Sequence, residues 1–201
     1  MTLAFSTIGL LGGSFNPPHN AHLALALAAK QQLALTRVDL MPAGQPWQKI
    51  GSVLASATSR LAMCHAAIEG VEGLGVEPCE TVRDGNTYTV DTLRDLRRFN
   101  LNHRYTLIIG ADQANRFDTW RDWQTILTLC RLAVVARDGI NVALPTPVQA
   151  VCQDYDVLHL PPLNISSSAI RSHIAAGESI KNQVPAAVER YIVKHSLYKT
   201  L

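Results

Sequence analysis

Apolar runs of strand length recur along the chain, separated by longer stretches in which apolar positions return with helical spacing. The runs at 7–11, 38–41, 75–79, 105–109, 132–136 and 156–160 read as strands. Helices are expected at 19–33, 59–69, 89–98 and 146–153, with a broken helical stretch over 113–129. Strands that are nearly continuously apolar are covered on both faces, and their alternation with helices predicts a parallel sheet packed between helical layers. Two more helices close the chain. The stretch 167–176 follows a run of serines and stops at Gly177, and 185–195 opens with Pro185 at the first helical position. The Pro-rich pieces 144–147 and 160–163 read as loops rather than linkers, and there is no internal repeat.

A chain of 201 residues, 47% of them hydrophobic, is long enough for one well-buried core and short for two. The expectation is one domain, 1–201, with a core over 1–164 and C-terminal helices over 165–201. Eighteen basic against 16 acidic residues give a net charge of +2 with no long run of either sign, so nothing points to nucleic acid or a membrane as partner. The apolar start, 1–11, lacks a basic leader and runs into Gly12-Gly13, which suits a buried strand better than an export signal. No segment is long enough to span a bilayer, and a cytoplasmic location is expected. Cys64, Cys79, Cys130 and Cys152 form no CxxC pair, which argues against structural zinc and a disulfide framework.

The candidate chemistry lies in three places. The string Gly12-Gly13-Ser14-Phe15-Asn16-Pro17-Pro18-His19-Asn20-Ala21-His22 falls where the first strand ends and the first long helix begins, the position at which α/β sheets bind ligands. Glycines there let the backbone approach a phosphate, and a helix N-terminus offers N–H groups and partial positive charge to an anion. His19 and His22, one turn apart, would face the same oxyanions. A plain glycine turn followed by two surface histidines is the alternative, and a zinc site is disfavoured by the lack of a third ligand nearby. The second place is Ile165-Ser166-Ser167-Ser168-Ala169-Ile170-Arg171. Its serines suit a helix cap, and Arg171 adds a planar, permanently charged donor set one turn in, which makes a phosphate cradle. Third, Leu107-Ile108-Ile109-Gly110-Ala111-Asp112-Gln113 reads as a buried strand emptying into a turn at the same edge, with structural turn and ligand contact equally open. Beyond it, Phe117-Asp118-Thr119-Trp120-Arg121-Asp122-Trp123 forms a short broken helix.

The first string resembles the GxFxPxHxxH signature of the nucleotidyltransferases, matched in full from Gly13 to His22, and the second is similar to their ISSTxxR motif, with Ser168 where threonine is common. IIGADQ followed by FDTWRDW, preceded by Asn86-Thr87-Tyr88-Thr89-Val90-Asp91-Thr92-Leu93, extends the likeness over nearly the whole chain to the bacterial nicotinate-nucleotide adenylyltransferases. That resemblance implies a Rossmann-like, doubly wound parallel sheet with a small C-terminal helical part. It implies ATP bound over Gly12, Gly13, Ser14 and Phe15, with His19 and His22 on phosphate oxygens. Ile165, Ser166, Ser167, Ser168 and Arg171 would hold the phosphates that leave as pyrophosphate, and Gly110 and Asp112 would contact the adenosine side. Trp120 would stack on the pyridine ring, Thr89 would lie near its carboxylate, and Lys49 would contact the mononucleotide phosphate. The family often carries PPHK after the second strand, whereas this chain has Pro42-Ala43-Gly44-Gln45-Pro46-Trp47-Gln48-Lys49.

The implied reaction is attack of a mononucleotide phosphate on the α-phosphorus of ATP. A phosphate monoester is largely ionised at neutral pH, so no general base is needed and the site should be rich in cations and N–H donors. Mg²⁺ would be held mainly by the ATP phosphates and water, without a protein carboxylate cluster. Another adenylyl- or cytidylyltransferase would share the first motif but lack the IIGADQ and FDTW pairing. A silent nucleotide sensor would tolerate loss of His19, His22 and Arg171. The oligomeric state is open, a homo-oligomer included.

Overall fold

The computed structural model describes residues 5–44, 55–136, 142–160 and 163–199. Strands β1 (Ser6–Gly13), β2 (Arg37–Pro42), β3 (Leu74–Val76), β4 (His103–Gly110), β5 (Cys130–Ala136) and β6 (Asp156–His159) form one sheet in the order β3-β2-β1-β4-β5-β6. Every neighbouring pair is parallel, so all the C-terminal ends lie along one edge. The winding reverses between β1 and β4, where Leu11 stands opposite Ile108, and the crevice above that reversal is where open α/β sheets take ligands.

The period of two along each strand sorts its side chains between two cores. Ile8, Leu10, Leu107, Ile109, Leu132 and Val134 pack on one face against Val90, Leu93 and Leu96 of α4 (Thr89–Phe99) and Ile126 of α6 (Trp123–Leu129). Leu11, Ile108, Ala133 and Val135 face the other way, against Ala26 and Ala29 of α1 (Asn20–Gln32) and Cys64 of α2 (Ala57–Ile68). Each fully buried Leu or Ile contributes about 1.5–3 kcal/mol, which is why both faces must be covered. A third cluster joins Met63 and Ala67 of α2 to Ile170 of α8 (Ser167–Ala175) and to Val188 and Ile192 of α9 (Ala186–Lys194). The C-terminal helices therefore share a core with α2.

The doubly wound sheet and the C-terminal helices agree with expectation, and the differences are local. The strand expected over 75–79 ends at Val76, because Pro78 has no N–H for the ladder and Glu77 Oε1 takes the Cys79 amide at 3.0 Å. Cys79 instead opens a short helix, α3 (Cys79–Val82), that the apolar pattern did not indicate. The helix expected over 146–153 is α7 (Thr146–Gln149), continued as a turn in which the Cys152 amide still reaches the Val148 carbonyl at 2.8 Å. Pro185 caps α9 rather than starting it, its ψ of 144° being extended. The broken stretch resolves into α5 (Ala111–Ala114), a 3-10 turn (Phe117–Thr119) and α6.

Candidate active site

The chain leaves β1 through Gly13 and reaches α1 at Asn20. Phe15 lies between them, 1% exposed and at a φ of +44°, its ring filling the space beneath the loop. A Cβ at Gly13 would stand 3.1 Å from that ring, so the glycine is what admits it. His19 caps α1, and the two imidazoles stack with centroids 3.6 Å apart. The His19 backbone N–H donates to His22 Nδ1 at 3.2 Å. Nδ1 of His22 therefore acts as an acceptor, and its proton belongs on Nε2, leaving an N–H donor on the far side of the ring. Phe15 stands edge-on to His22 at 4.9 Å between centroids and holds that orientation.

The serine and arginine motif, some 150 residues away in sequence, meets this loop directly. Ser166 Oγ accepts from the Ala169 amide at 3.2 Å, the capping role expected of it. Ser167 Oγ donates to the Pro17 carbonyl at 2.9 Å, and Arg171 Nη1 donates to the Asn16 carbonyl at 2.9 Å. The second arginine nitrogen, Nη2, reaches Ser168 Oγ at 3.4 Å. Asn20 of α1 is held by the carbonyls of Asn182 and Gln183, at 2.7 and 2.9 Å. The α8 start and the Arg171 guanidinium thus reach residues 13–22, where α1 begins, from the far end of the chain. Ile165 and Ser168 sit at the α8 start, Ile165 half-buried and Ser168 exposed.

Along the same edge, β4 ends at Gly110, whose Cβ, if present, would stand 2.6 Å from Asp112 Oδ1. Asp112 is exposed and accepts from Gln113 Nε2 at 3.1 Å. Trp120 closes the 3-10 turn, half-buried, its ring 5.3 Å from that of Phe117. Thr89 is the first residue of α4, also half-buried. Two surface contacts tie α4 to the Trp120 segment: Arg121 lies over the Tyr88 ring at 4.5 Å, and Arg94 Nη2 meets Asp122 Oδ2 at 2.6 Å. Asp122 also accepts from Thr125 Oγ1 at 2.8 Å, and these bonds, that of Thr125 first, hold its carboxyl below the usual range. Asp118 is exposed. Lys49, together with Trp47 and Gln48, lies outside the described residues.

Three groups that organise this edge went unread in the sequence. Asn16 Oδ1 accepts from the Ala55 amide at 3.0 Å and from Tyr198 Oη at 2.8 Å. Glu80, on α3, is buried and accepts from Thr87 Oγ1 and Thr92 Oγ1, each at 3.1 Å; burial pushes its carboxyl above the usual range, while the Thr92 and Thr87 bonds pull it back. Arg60 is buried on α2 in line with Met63, Cys64 and Ala67. An arginine at a core position of an apolar helical stripe is the signal that could have found it.

An all-parallel sheet with a glycine turn, paired imidazoles and a distant arginine gathered over its reversal point is the build of a nucleotide-handling α/β enzyme. A family model described as cytidylyltransferase-like matches residues 10–173. The chain is 43% identical over 195 residues to "Probable nicotinate-nucleotide adenylyltransferase" of Methylibium petroleiphilum, covering 95% of this chain and 92% of the relative. It is 45% identical over 196 residues to the protein of the same name in Bordetella avium, covering 96% and 98%. The chain belongs to the cytidylyltransferase-like family and, within it, to the nicotinate-nucleotide adenylyltransferases. Its fold is similar to that of Plasmodium falciparum nicotinic acid mononucleotide adenylyltransferase complexed with NaAD, with a TM-score of 0.78 at 18% identity over 96% of this chain and 97% of that one. A second structure of that protein, complexed with APC, matches at 0.76 over the same shares.

Proposed function

We infer that this chain transfers the adenylyl group of ATP to nicotinate mononucleotide, giving nicotinate adenine dinucleotide and pyrophosphate in NAD biosynthesis. The observation that carries adenylyl transfer is the meeting of the two motifs, through Ser167 on Pro17 and Arg171 on Asn16, each at 2.9 Å. The choice of acceptor rests on relatives at 43–45% identity over nearly the full chain. We place residues 1–201 in one nucleotidyltransferase domain, with the core over 1–164 and the helices of 165–201 clasping its phosphate loop. The enzyme is placed in the cytoplasm, working on small molecules rather than nucleic acid or lipid; among the described residues no helix is long and apolar enough to cross a membrane.

In this reading the triphosphate lies over Gly12, Gly13 and Ser14, while Phe15 shapes the loop from below. His19, His22 and Arg171 are assigned the catalytic role. The mononucleotide phosphate is already ionised and attacks in line, so these residues hold two mutually repelling anions together and stabilise the charge that grows on the bridging oxygen and pyrophosphate. His22 is suited to this because its Nδ1 is spent on the His19 amide, which fixes Nε2–H as a donor. Ile165, Ser166, Ser167 and Ser168 present the α8 start to the leaving phosphates. The donors gathered here suit phosphate oxygens rather than a bare cation, which fits a Mg²⁺ ion carried in on the nucleotide. Such an ion neutralises phosphate charge when bound. Gly110 and Asp112 take the adenosine side, Lys49 the mononucleotide phosphate, and Trp120 and Thr89 the pyridine ring.

A carboxylate and an amide have nearly the same shape, so the pyridine site must discriminate through donors. Those that fit two acceptor oxygens meet an NH₂ group in the wrong substrate, and each mismatch costs about 1–3 kcal/mol. The Arg94 and Thr125 bonds engage Asp122, which removes one carboxylate that would favour the amide. The test is pyrophosphate release from ATP with nicotinate mononucleotide, nicotinamide mononucleotide, pantetheine phosphate and simple alcohol phosphates. Nicotinate mononucleotide is expected to exceed the nicotinamide nucleotide in kcat/KM by at least about a hundredfold. Comparable values for the two would overturn the acceptor and leave adenylyl transfer standing.

A further inference from the structure

Arg60 belongs to neither nucleotide motif, yet it touches the loop of the first and the loop that leaves β2. It is 2% exposed. Its Nε donates to the Ala55 carbonyl at 3.1 Å, Nη1 to the carbonyls of Ser14 at 3.0 Å and Ala43 at 2.5 Å, and Nη2 to that of Gly44 at 2.5 Å. Ser14 lies on the loop leaving β1, Ala43 and Gly44 on the loop leaving β2, and Ala55 leads into α2. One rigid planar fork therefore spans three backbone segments. The second loop has little slack where it is gripped: a Cβ on Gly44 would meet the Glu80 carbonyl oxygen at 2.2 Å.

None of the ion pairs among the described residues includes Arg60. Burial pushes its pKa down, but a guanidinium stays charged at neutral pH. Burying such a charge is costly, and a neutral core residue would close α2 against the sheet without that cost. What the charge adds is positive potential directly beneath the loop that receives phosphates.

We propose that Arg60 is a positioning residue that sets the ATP loop, through Ser14, against the mononucleotide loop, through Ala43 and Gly44, and lends its buried charge to the place where the two anionic substrates meet. The proposal rests on the adenylyl-transfer reading. Misplacing reactants by about 1 Å costs up to about a hundredfold in rate, so the effect falls on turnover as well as on stability.

Arg60→Lys keeps the charge but offers its donors from one point, and Arg60→Gln loses the charge as well. Steady-state constants for both substrates, corrected for the folded fraction from thermal unfolding, are expected to show kcat about ten- to a hundredfold down in Arg60→Lys, both KM values severalfold up, and larger losses in Arg60→Gln. Folded variants with kcat and both KM values within twofold of wild type would reduce Arg60 to a packing residue and overturn the proposal. Gly44→Ala keeps Arg60 but, through the clash with the Glu80 carbonyl, displaces the loop whose Gly44 carbonyl Arg60 holds, so it supplies the answer if the arginine variants do not fold. It should lower kcat and raise the mononucleotide KM while leaving the ATP KM within twofold; unchanged constants count against the proposal. An active wild type with indifferent variants defeats the role of Arg60, whereas an inactive wild type defeats the adenylyl-transfer reading itself.

Discussion

The two ends of the candidate site are held in different ways. The end assigned to phosphate, residues 13–22, is fastened to groups from the far end of the chain: Ser167 on the Pro17 carbonyl, Arg171 on the Asn16 carbonyl, Tyr198 on the Asn16 side-chain oxygen, and the 182–183 carbonyls on Asn20. The end proposed to take the pyridine ring joins the start of α4 to the Trp120 segment through pairs at the surface, Arg94 with Asp122 and Arg121 over Tyr88. Exposed pairs hold geometry weakly and are screened by salt. In the proposed function the part that would manage charge is preassembled, as electrostatic catalysis demands, while the part assigned to the ring rests on one aromatic face and a helix start.

That contrast predicts a graded series of effects. The largest belongs to His22→Ala, which removes a donor from the preassembled end and should lower kcat by two to four orders of magnitude, about 3–5 kcal/mol, with an unchanged circular dichroism spectrum. Near-normal turnover would take His22 out of the site. Arg171→Lys should cost about ten- to a hundredfold in kcat, because a point charge cannot hold the Asn16 carbonyl and still present a planar fork to phosphate. Equal rates for the two side chains would make Arg171 purely structural. Trp120→Ala acts at the other end and should raise the mononucleotide KM about five- to tenfold with the ATP KM within twofold. A matching loss of ATP affinity would assign Trp120 to the core with Phe117.

The smallest effect tests what lies behind the pyridine end. Burial raises the Glu80 carboxyl in the folded state, so its contribution to stability is present below the ordinary glutamate range and is lost as pH rises through the higher folded value. Glu80→Gln should therefore flatten the fall in melting temperature across that window and change the mononucleotide KM by less than about threefold, since Thr87 and Thr92 lose an acceptor but the α4 start stays in place. An unaltered pH profile of melting would mean that Glu80 has no such titration.

Much of this was legible in the sequence, for physical reasons that differ between parts. The sheet could be read because its central strands, β1, β2, β4 and β5, are buried on both faces along most of their length and so are largely apolar. Gly13, His19, His22 and Arg171 stand out because the anion-binding role proposed for them would demand particular residue types in a fixed order. Glu80 and Arg60 were hidden for the opposite reason. Glu80 falls in no expected helix, the apolar stripe around Arg60 says only that it is buried, and only the fold reveals that their partners are Thr87 and Thr92 in one case and four carbonyls in the other. Backbone acceptors carry no sequence signature. Pro78 was in plain view, but its effect depended on Glu77 turning back to take the next amide.

The bond from Tyr198 to Asn16 joins residues 182 apart. Chains are synthesised from the N-terminus at about 5–20 residues per second, so roughly 10 to 40 seconds separate the making of the loop from the arrival of the hydroxyl that steadies it. The oldest part of the nascent protein is the last to be completed. A ribosome stalled just short of Tyr198 would have synthesised every strand of the sheet while the loop at Asn16 still lacked that bond.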